Sequence, residues 1–119
     1  MADATERITL VEVPSFTRDA DALFSDKERD QLVDLLSLNP ECGDLIPGTG
    51  GVRKVCVALR GRGKSGGARV IYYVFDRSVP LYLLAVYAKN ERANLTIAEK
   101  QAMRTLVKAL ADQARSKRR

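Results

Sequence analysis

The chain contains no histidine and no tryptophan, and only two cysteines, Cys42 and Cys56. The cysteines form no CxxC pair and no other metal or redox spacing. With neither histidine nor paired thiols, the sequence argues against a protein-held transition metal, and no cofactor is expected. No apolar run reaches membrane length and no secretory segment is recognisable. The expectation is therefore a protein of the reducing cytoplasm with free thiols and no membrane contact. Internal repeats and low-complexity segments are also missing. At 119 residues the chain fits one domain with a single core, residues 1–119, with 1–6 and 115–119 flexible.

One further absence is local. Between Asp44 and Asp76 there is no acidic residue, while Arg53, Lys54, Arg60, Arg62, Lys64 and Arg69 are all cationic. Seven of the eight glycines lie in the same stretch. Charge is correspondingly uneven along the chain. Residues 1–44 hold eleven acids and four bases, a net −7, and residues 45–119 hold four acids and sixteen bases, a net +12. Such asymmetry suggests one face for a polyanion and an acidic face elsewhere.

The elements follow from periodicity and punctuation. Ile8–Val13 reads as a short strand ended by Pro14. Ser15 is placed to cap a short helix with Phe16, Ala20 and Leu23 at helical spacing. Ser25 and Glu28 form a capping box for a second helix, which carries Leu32, Leu35 and Leu36 and stops before Asn39-Pro40. Residues 41–51 read as connecting loop with turns at Cys42-Gly43-Asp44 and Pro47-Gly48. Three strands follow. Val52–Leu59 alternates, with Lys54 and Cys56 opposite Val55 and Val57. Ala68–Phe75 sets Arg69, Ile71 and Tyr73 against Val70 and Tyr72. Leu81–Ala88 is apolar on both faces, as a central strand should be. Thr96 and Glu99 form a second capping box, opening a helix that runs to about Ala114. The order βααβββα predicts a small α+β domain: a twisted, mainly antiparallel sheet with its helices on one face.

The loop RGRGKSGG between the second and third strands is polar and positive. Glycine lets a backbone approach a ligand closely, and Arg and Lys suit phosphate as fork and point charge respectively. The competing reading is a solvated hairpin loop whose charges keep an edge soluble. If the sheet face is open, Lys54, Arg60, Arg69, Tyr73, Tyr87 and Lys89 converge on it from adjacent strands. Tyrosine beside cations suits RNA, by stacking and by hydroxyl donation. RNA cleavage needs a base for the 2′-hydroxyl, a stabilised phosphorane and an acid for the 5′-oxygen. Without histidine or metal, these roles fall to Lys, Arg and Tyr. The strands alone do not separate a nuclease from an RNA-binding module.

The blocks PGTGGVRKV, GRGKSGGARVIYY, LYLLAVYAKNE and TIAEKQAMRTLV, in that order, resemble the RelE/HigB superfamily of toxins from type II toxin–antitoxin pairs, in its HigB-like branch. The resemblance covers the chain from the first strand to about Leu110. It implies a ribosome-dependent mRNA endonuclease, an mRNA interferase that cuts in the ribosomal A site. It also implies a cognate antitoxin, in this branch a helix-turn-helix DNA-binding protein. Arg69 matches the arginine of the strand after the glycine loop, and Lys89 the basic position ending the last strand. Lys54, Arg60, Arg62 and Lys64 fall where the family places substrate-binding cations. The catalytic histidine and acidic base of some relatives are missing. The resulting catalytic candidates are Arg69, Lys89, Tyr87 and Lys54, with Arg53, Arg60, Arg62, Lys64 and Tyr73 as RNA contacts. Two alternatives share the fold or the charge: a ParE-like inhibitor of DNA gyrase, and an RNA-binding module without turnover.

Overall fold

The computed structural model describes residues 6–59 and 66–117. Eight elements follow one another: β1 (Leu10–Glu12), α1 (Pro14–Leu23), α2 (Asp26–Leu38), β2 (Asp44–Leu45), β3 (Val52–Val57), β4 (Ala68–Tyr73), β5 (Leu81–Ala88) and α3 (Ile97–Lys117). The strands form one sheet in the order β1-β5-β4-β3-β2. All pairings are antiparallel except β1 with β5, which is parallel from Leu10 opposite Leu81 to Glu12 opposite Leu83. The α+β class and the mainly antiparallel sheet are as the sequence indicates.

The helices, however, cover both faces of the sheet. Phe16, Ala20 and Phe24 of the α1 segment and Leu32 and Leu36 of α2 pack with Ala68, Val70, Tyr72, Leu83 and Val86. On the opposite face, Val107, Met103 and Leu110 of α3 pack with Val52, Ile71, Tyr73, Leu84 and Tyr87. The physical reason lies in the strands themselves. β4 and β5 are apolar on both sides, so a one-faced arrangement would leave Ile71, Tyr73 and Leu84 in water at a cost of roughly 1.5–3 kcal/mol each. A register shift at Ile71/Tyr72 pairs Ile71 with Ala85 but Tyr72 with Leu83. The skipped residue, Leu84, joins the α3 side of the core.

Other boundaries shift for local reasons. β2 falls within the expected 41–51 loop, and a two-residue ladder carries no periodicity to read. Ser15 does not cap α1. Pro14 occupies the first turn with Val13 as N-cap and no side-chain cap bond, because proline's fixed φ already suits the start of a helix. The Ser25–Glu28 capping box forms as expected, with Ser25 N donating to Glu28 Oε1 at 2.9 Å and Glu28 N to Ser25 Oγ at 3.1 Å. α3 continues through Arg115 and Lys117, residues that the composition assigns to a solvated tail.

Gly43 and Tyr72 fasten the loop after α2 to the sheet. The buried Tyr72 hydroxyl donates to Pro40 O and accepts from Gly43 N, both at 2.8 Å. Burial pushes the Tyr72 phenol up to about 12, with a smaller opposing effect from the Gly43 N–H. Within PGTGG, Gly48, Gly50 and Gly51 all have positive φ. Thr49, fully buried, donates to Ile46 O at 2.7 Å and accepts from Val52 N at 3.1 Å. This motif is thus an internally bonded turn feeding β3.

Glu12 and Arg29 tie β1 to α2. Arg29 Nη2 lies 2.7 Å from Glu12 Oε1 and Nη1 pairs with Asp21, while Thr17 Oγ1 donates to Glu12 at 2.7 Å. The Arg29 hydrogen bond holds the Glu12 carboxyl below its ordinary value despite opposition from burial. A carboxylate with a lowered folded-state pKa contributes stability above its unfolded pKa and loses it as pH falls through the folded value. Arg29→Ala should therefore lower stability by about 1–3 kcal/mol at pH 7, read by urea melts. The deficit should shrink steadily below about pH 4. An equal deficit at pH 7 and pH 3 would show that packing, not charge, carries the effect.

Candidate functional site

The sheet register sets three expected side chains into a small neighbourhood. Cys56 lies opposite Arg69, and Arg69 opposite Tyr87, forming one row across β3, β4 and β5. In the next row Lys54 lies opposite Ile71 and Ala85, which makes Lys54 a diagonal neighbour of Arg69 at roughly 7–8 Å. Side chains two apart along a strand share a face, so Lys54, Cys56, Arg69 and Tyr87 all project on the α3 side. Their row lies away from Tyr73, over which the body of α3 packs.

Arg69 is partly exposed, but its Nε is buried and has no hydrogen-bond partner among the described residues. A buried guanidinium donor without an acceptor is costly, and it is retained where an anion supplies the acceptor. Lys89 follows the end of β5. Its N donates to Gly67 O at 2.8 Å, and a Cβ built on Gly67 would meet the Lys89 Cδ at 3.9 Å. Lys89 is exposed and stands by the start of β4, near Arg69. The same Cβ would lie 2.9 Å from Val57 O, so glycine here permits the two strands to approach closely.

A cleft of about 260 Å³ opens beside this row. Lys54, Tyr87, Asn94 and Lys100 supply its polar lining, with Leu45, Pro47 and Leu95 among its apolar walls. Among the described residues no acidic side chain lines it. Such a mixture accommodates a nucleobase against the apolar wall and phosphate on the lysines.

Tyr87 is 6% exposed. Burial raises its phenol pKa above the ordinary value, opposed by the nearby Arg69 and Arg92 charges. The hydroxyl therefore keeps its proton at neutral pH and can serve as a donor. The Arg92 guanidinium carbon sits 4.3 Å from the Tyr87 ring centroid. Arg92 Nη1 in turn reaches both Glu99 oxygens, at 2.6 and 2.7 Å. Glu99 also closes the capping box of α3: Thr96 N donates to Glu99 Oε1 at 2.8 Å, and Glu99 N to Thr96 Oγ1 at 3.1 Å. Arg92 hydrogen bonding holds the Glu99 carboxyl below its ordinary value, and the Thr96 N–H adds to this. Sequence reasoning missed Arg92, although the capping box downstream of it was visible.

The remaining expected RNA contacts lie elsewhere or beyond description. Tyr73 is 6% exposed and packs against Gly51 under α3, not on an open sheet. Arg53 points to the other face, where its Nη1 donates to Gly43 O at 2.7 Å and Glu41 O at 3.1 Å. Its carbonyl partners make it a clamp for the loop after α2. Arg60, Arg62 and Lys64 lie outside the described residues. Among the described residues no three metal-ligating side chains come together, and no helix is long and apolar enough to cross a membrane.

Comparison with known proteins is consistent with this architecture. The free-state structure of a double arginine-to-alanine mutant of the E. coli toxin RelE is similar, with a TM-score of 0.50 and 20% sequence identity. The match covers 67% of this chain and 81% of that one, and it speaks to the fold. Residues 44–118 match the family model described as the RelE toxin of the RelE/RelB toxin–antitoxin system. That span is more than half of the sequence and includes β2–β5, α3 and the whole Arg69 row. The chain belongs to the RelE toxin family.

Proposed function

We propose that this toxin is an endoribonuclease that cuts mRNA in the ribosomal A site and is restrained by a cognate antitoxin. The observation carrying this reading is the buried Arg69 Nε beside Tyr87, unpartnered among the described residues, next to a cleft whose described lining includes lysines and no carboxylate. Toxins of the same fold that act on gyrase have no evident use for such a phosphate-directed arrangement.

The chemistry is an internal transesterification. The 2′-hydroxyl loses its proton to a lysine amine, Lys54 or Lys89, and its oxygen attacks the adjacent phosphorus. Arg69 meets the charge that develops on the non-bridging oxygens, where a preorganised donor is most effective. The 5′-oxygen leaves as the P–O bond breaks and takes a proton from the Tyr87 hydroxyl. Products are a 2′,3′-cyclic phosphate and a 5′-hydroxyl. Arg60, Arg62 and Lys64 are proposed as further phosphate contacts. The antitoxin is proposed to be a helix-turn-helix DNA-binding protein, as in HigB-like pairs.

The test is induced expression without antitoxin. Amino-acid incorporation should stop before DNA supercoiling changes, and primer extension should show breaks phased with codons. Loss of supercoiling with intact messages would overturn the reading in favour of gyrase. Binding to ribosomes or RNA should also weaken with salt. Each single-strand phosphate contributes about −0.7 to the log–log slope. Replacing Arg60, Arg62 and Lys64 together by Gln should reduce the slope by about 2 if each meets a phosphate. An unchanged slope would mark the loop as a solvated turn.

A further inference from the structure

We infer that Arg92 is a positioning residue that fixes Tyr87 in the site, and that Glu99 holds Arg92 in place from the first turn of α3. The inference deepens the nuclease reading and rests on it for the role of Tyr87 in turnover. Three observations converge. Arg92 lies over the Tyr87 ring at 4.3 Å, within the range of a cation–π contact. A single Glu99 carboxylate receives Arg92 through both oxygens and also accepts the N–H of Thr96, the residue preceding α3. Tyr87 is cross-strand neighbour to Arg69, so any rotation of the ring changes where the hydroxyl stands relative to the phosphate-directed guanidinium.

Among the described residues, the segment between Tyr87 and Thr96 is also held by Lys89 N donating to Gly67 O at 2.8 Å and by Leu95, which is buried in the cluster under α3. Ala88 N donates to Glu91 Oε1 at 3.3 Å and Glu91 N to Ala88 O at 3.0 Å, closing a turn. Arg92 adds a side-chain link from this turn to the first turn of α3. Both members of the Arg92–Glu99 pair are about one-third exposed. That exposure limits what the pair adds to global stability. Its geometry nevertheless places a planar cation on the ring of a site tyrosine, and a displacement of about 1 Å at such a group costs up to ~100-fold in rate. The charged groups acting on the Tyr87 hydroxyl are Arg69 and Arg92, which favour its ionised form, and Glu99 and Cys56, which oppose it.

Three variants separate positioning from a structural role. Arg92→Ala removes the ring contact. Arg92→Lys keeps a cation near the ring without the planar fork. Glu99→Gln preserves the capping box, in which Gln serves as well as Glu at this position, and removes the charge that anchors Arg92. Each is examined with 13Cζ-tyrosine labelling, the Tyr87 resonance being assigned by its loss in Tyr87→Phe, and by kinetics on ribosome-bound mRNA. Arg92→Ala should move the Tyr87 titration upward, because a favourable cation is lost, and lower kcat by about 10–100-fold with little change in KM. Arg92→Lys should restore much of the titration and part of kcat. Glu99→Gln should reduce kcat while its melting temperature stays near that of the parent.

An unmoved Tyr87 titration in Arg92→Ala would overturn the inference, as would an unchanged kcat accompanied only by lower stability. If the parent protein cuts no RNA yet the Tyr87 titration responds as described, the nuclease reading falls and the positioning of Tyr87 by Arg92 stands.

Discussion

Arg69→Ala is expected to abolish growth inhibition while leaving a folded, monodisperse protein. Arg69 sits near the start of β4 between Cys56 and Tyr87. Among the described residues its Nε bonds to nothing. Removing it therefore breaks no native hydrogen bond at that atom and relieves a buried donor, so stability should hold or rise slightly. Catalysis should suffer much more. A preorganised donor aimed at developing charge is worth about 10²–10³ in rate, and Arg69 is the guanidinium assigned to the proposed phosphorane. Arg69→Lys keeps a charge without the fork and should recover only part of the loss. Purified variants assayed for ribosome-dependent cleavage, alongside thermal melts, provide the measurement. A folded Arg69→Ala protein with full toxicity would remove Arg69 from the site.

Gly43→Ala is expected to give the largest loss of stability. A Cβ at this position would lie 2.7 Å from Lys54 O and 2.8 Å from the Tyr72 hydroxyl. The first neighbour is backbone in the middle of β3, and the second is a fully buried phenol bonded to Pro40 O. Neither has room to yield. The chain must either open the β2–β3 pairing of Asp44 with Lys54 and Leu45 with Arg53, or expel Tyr72 from the core. Overpacking alone costs about 1–3 kcal/mol, and unsatisfying the Tyr72 hydroxyl partners adds about 1–3 kcal/mol more. Tyr72→Phe isolates the second contribution. Urea melts of the two variants should therefore rank Gly43→Ala below Tyr72→Phe, with both below the parent. Equal stability of Gly43→Ala and parent would show that the loop after α2 relaxes freely.

Much of this architecture was legible in the sequence because it is written in local signals. Both capping boxes, Ser25–Glu28 and Thr96–Glu99, form as their spacing indicates. The alternation along β4 placed Arg69, Ile71 and Tyr73 on one face and Val70 and Tyr72 on the other, as the two core clusters show. What escaped were features decided by tertiary contact. The element order predicts all helices on one face of the sheet; nothing local says that α3 crosses to the far face and covers the second apolar side of β4 and β5. Tyr73 and Tyr87 have the same composition signal and nearly the same burial. Both lie in the cluster under α3 and both line clefts; the cross-strand register, which sets Tyr87 opposite Arg69, is what separates them. Arg53 and Lys54 are adjacent cations on opposite faces, one clamping carbonyl oxygens and one lining the cleft. Arg92 could not be found from spacing, since its two partners, Tyr87 and Glu99, meet it only after the chain has turned.

The central claim is that this family member turns over RNA on the ribosome through the Arg69 row. The most direct measurement uses purified ribosomes programmed with an end-labelled mRNA bearing a defined A-site codon, mixed with the parent protein or Arg69→Ala. The account predicts a cut within the A-site codon by the parent, leaving a 2′,3′-cyclic phosphate and a 5′-hydroxyl. It predicts no cut on free mRNA, and a rate about 10²–10³ lower for Arg69→Ala. An intact message on programmed ribosomes, or equal cleavage by the parent and Arg69→Ala, would contradict it.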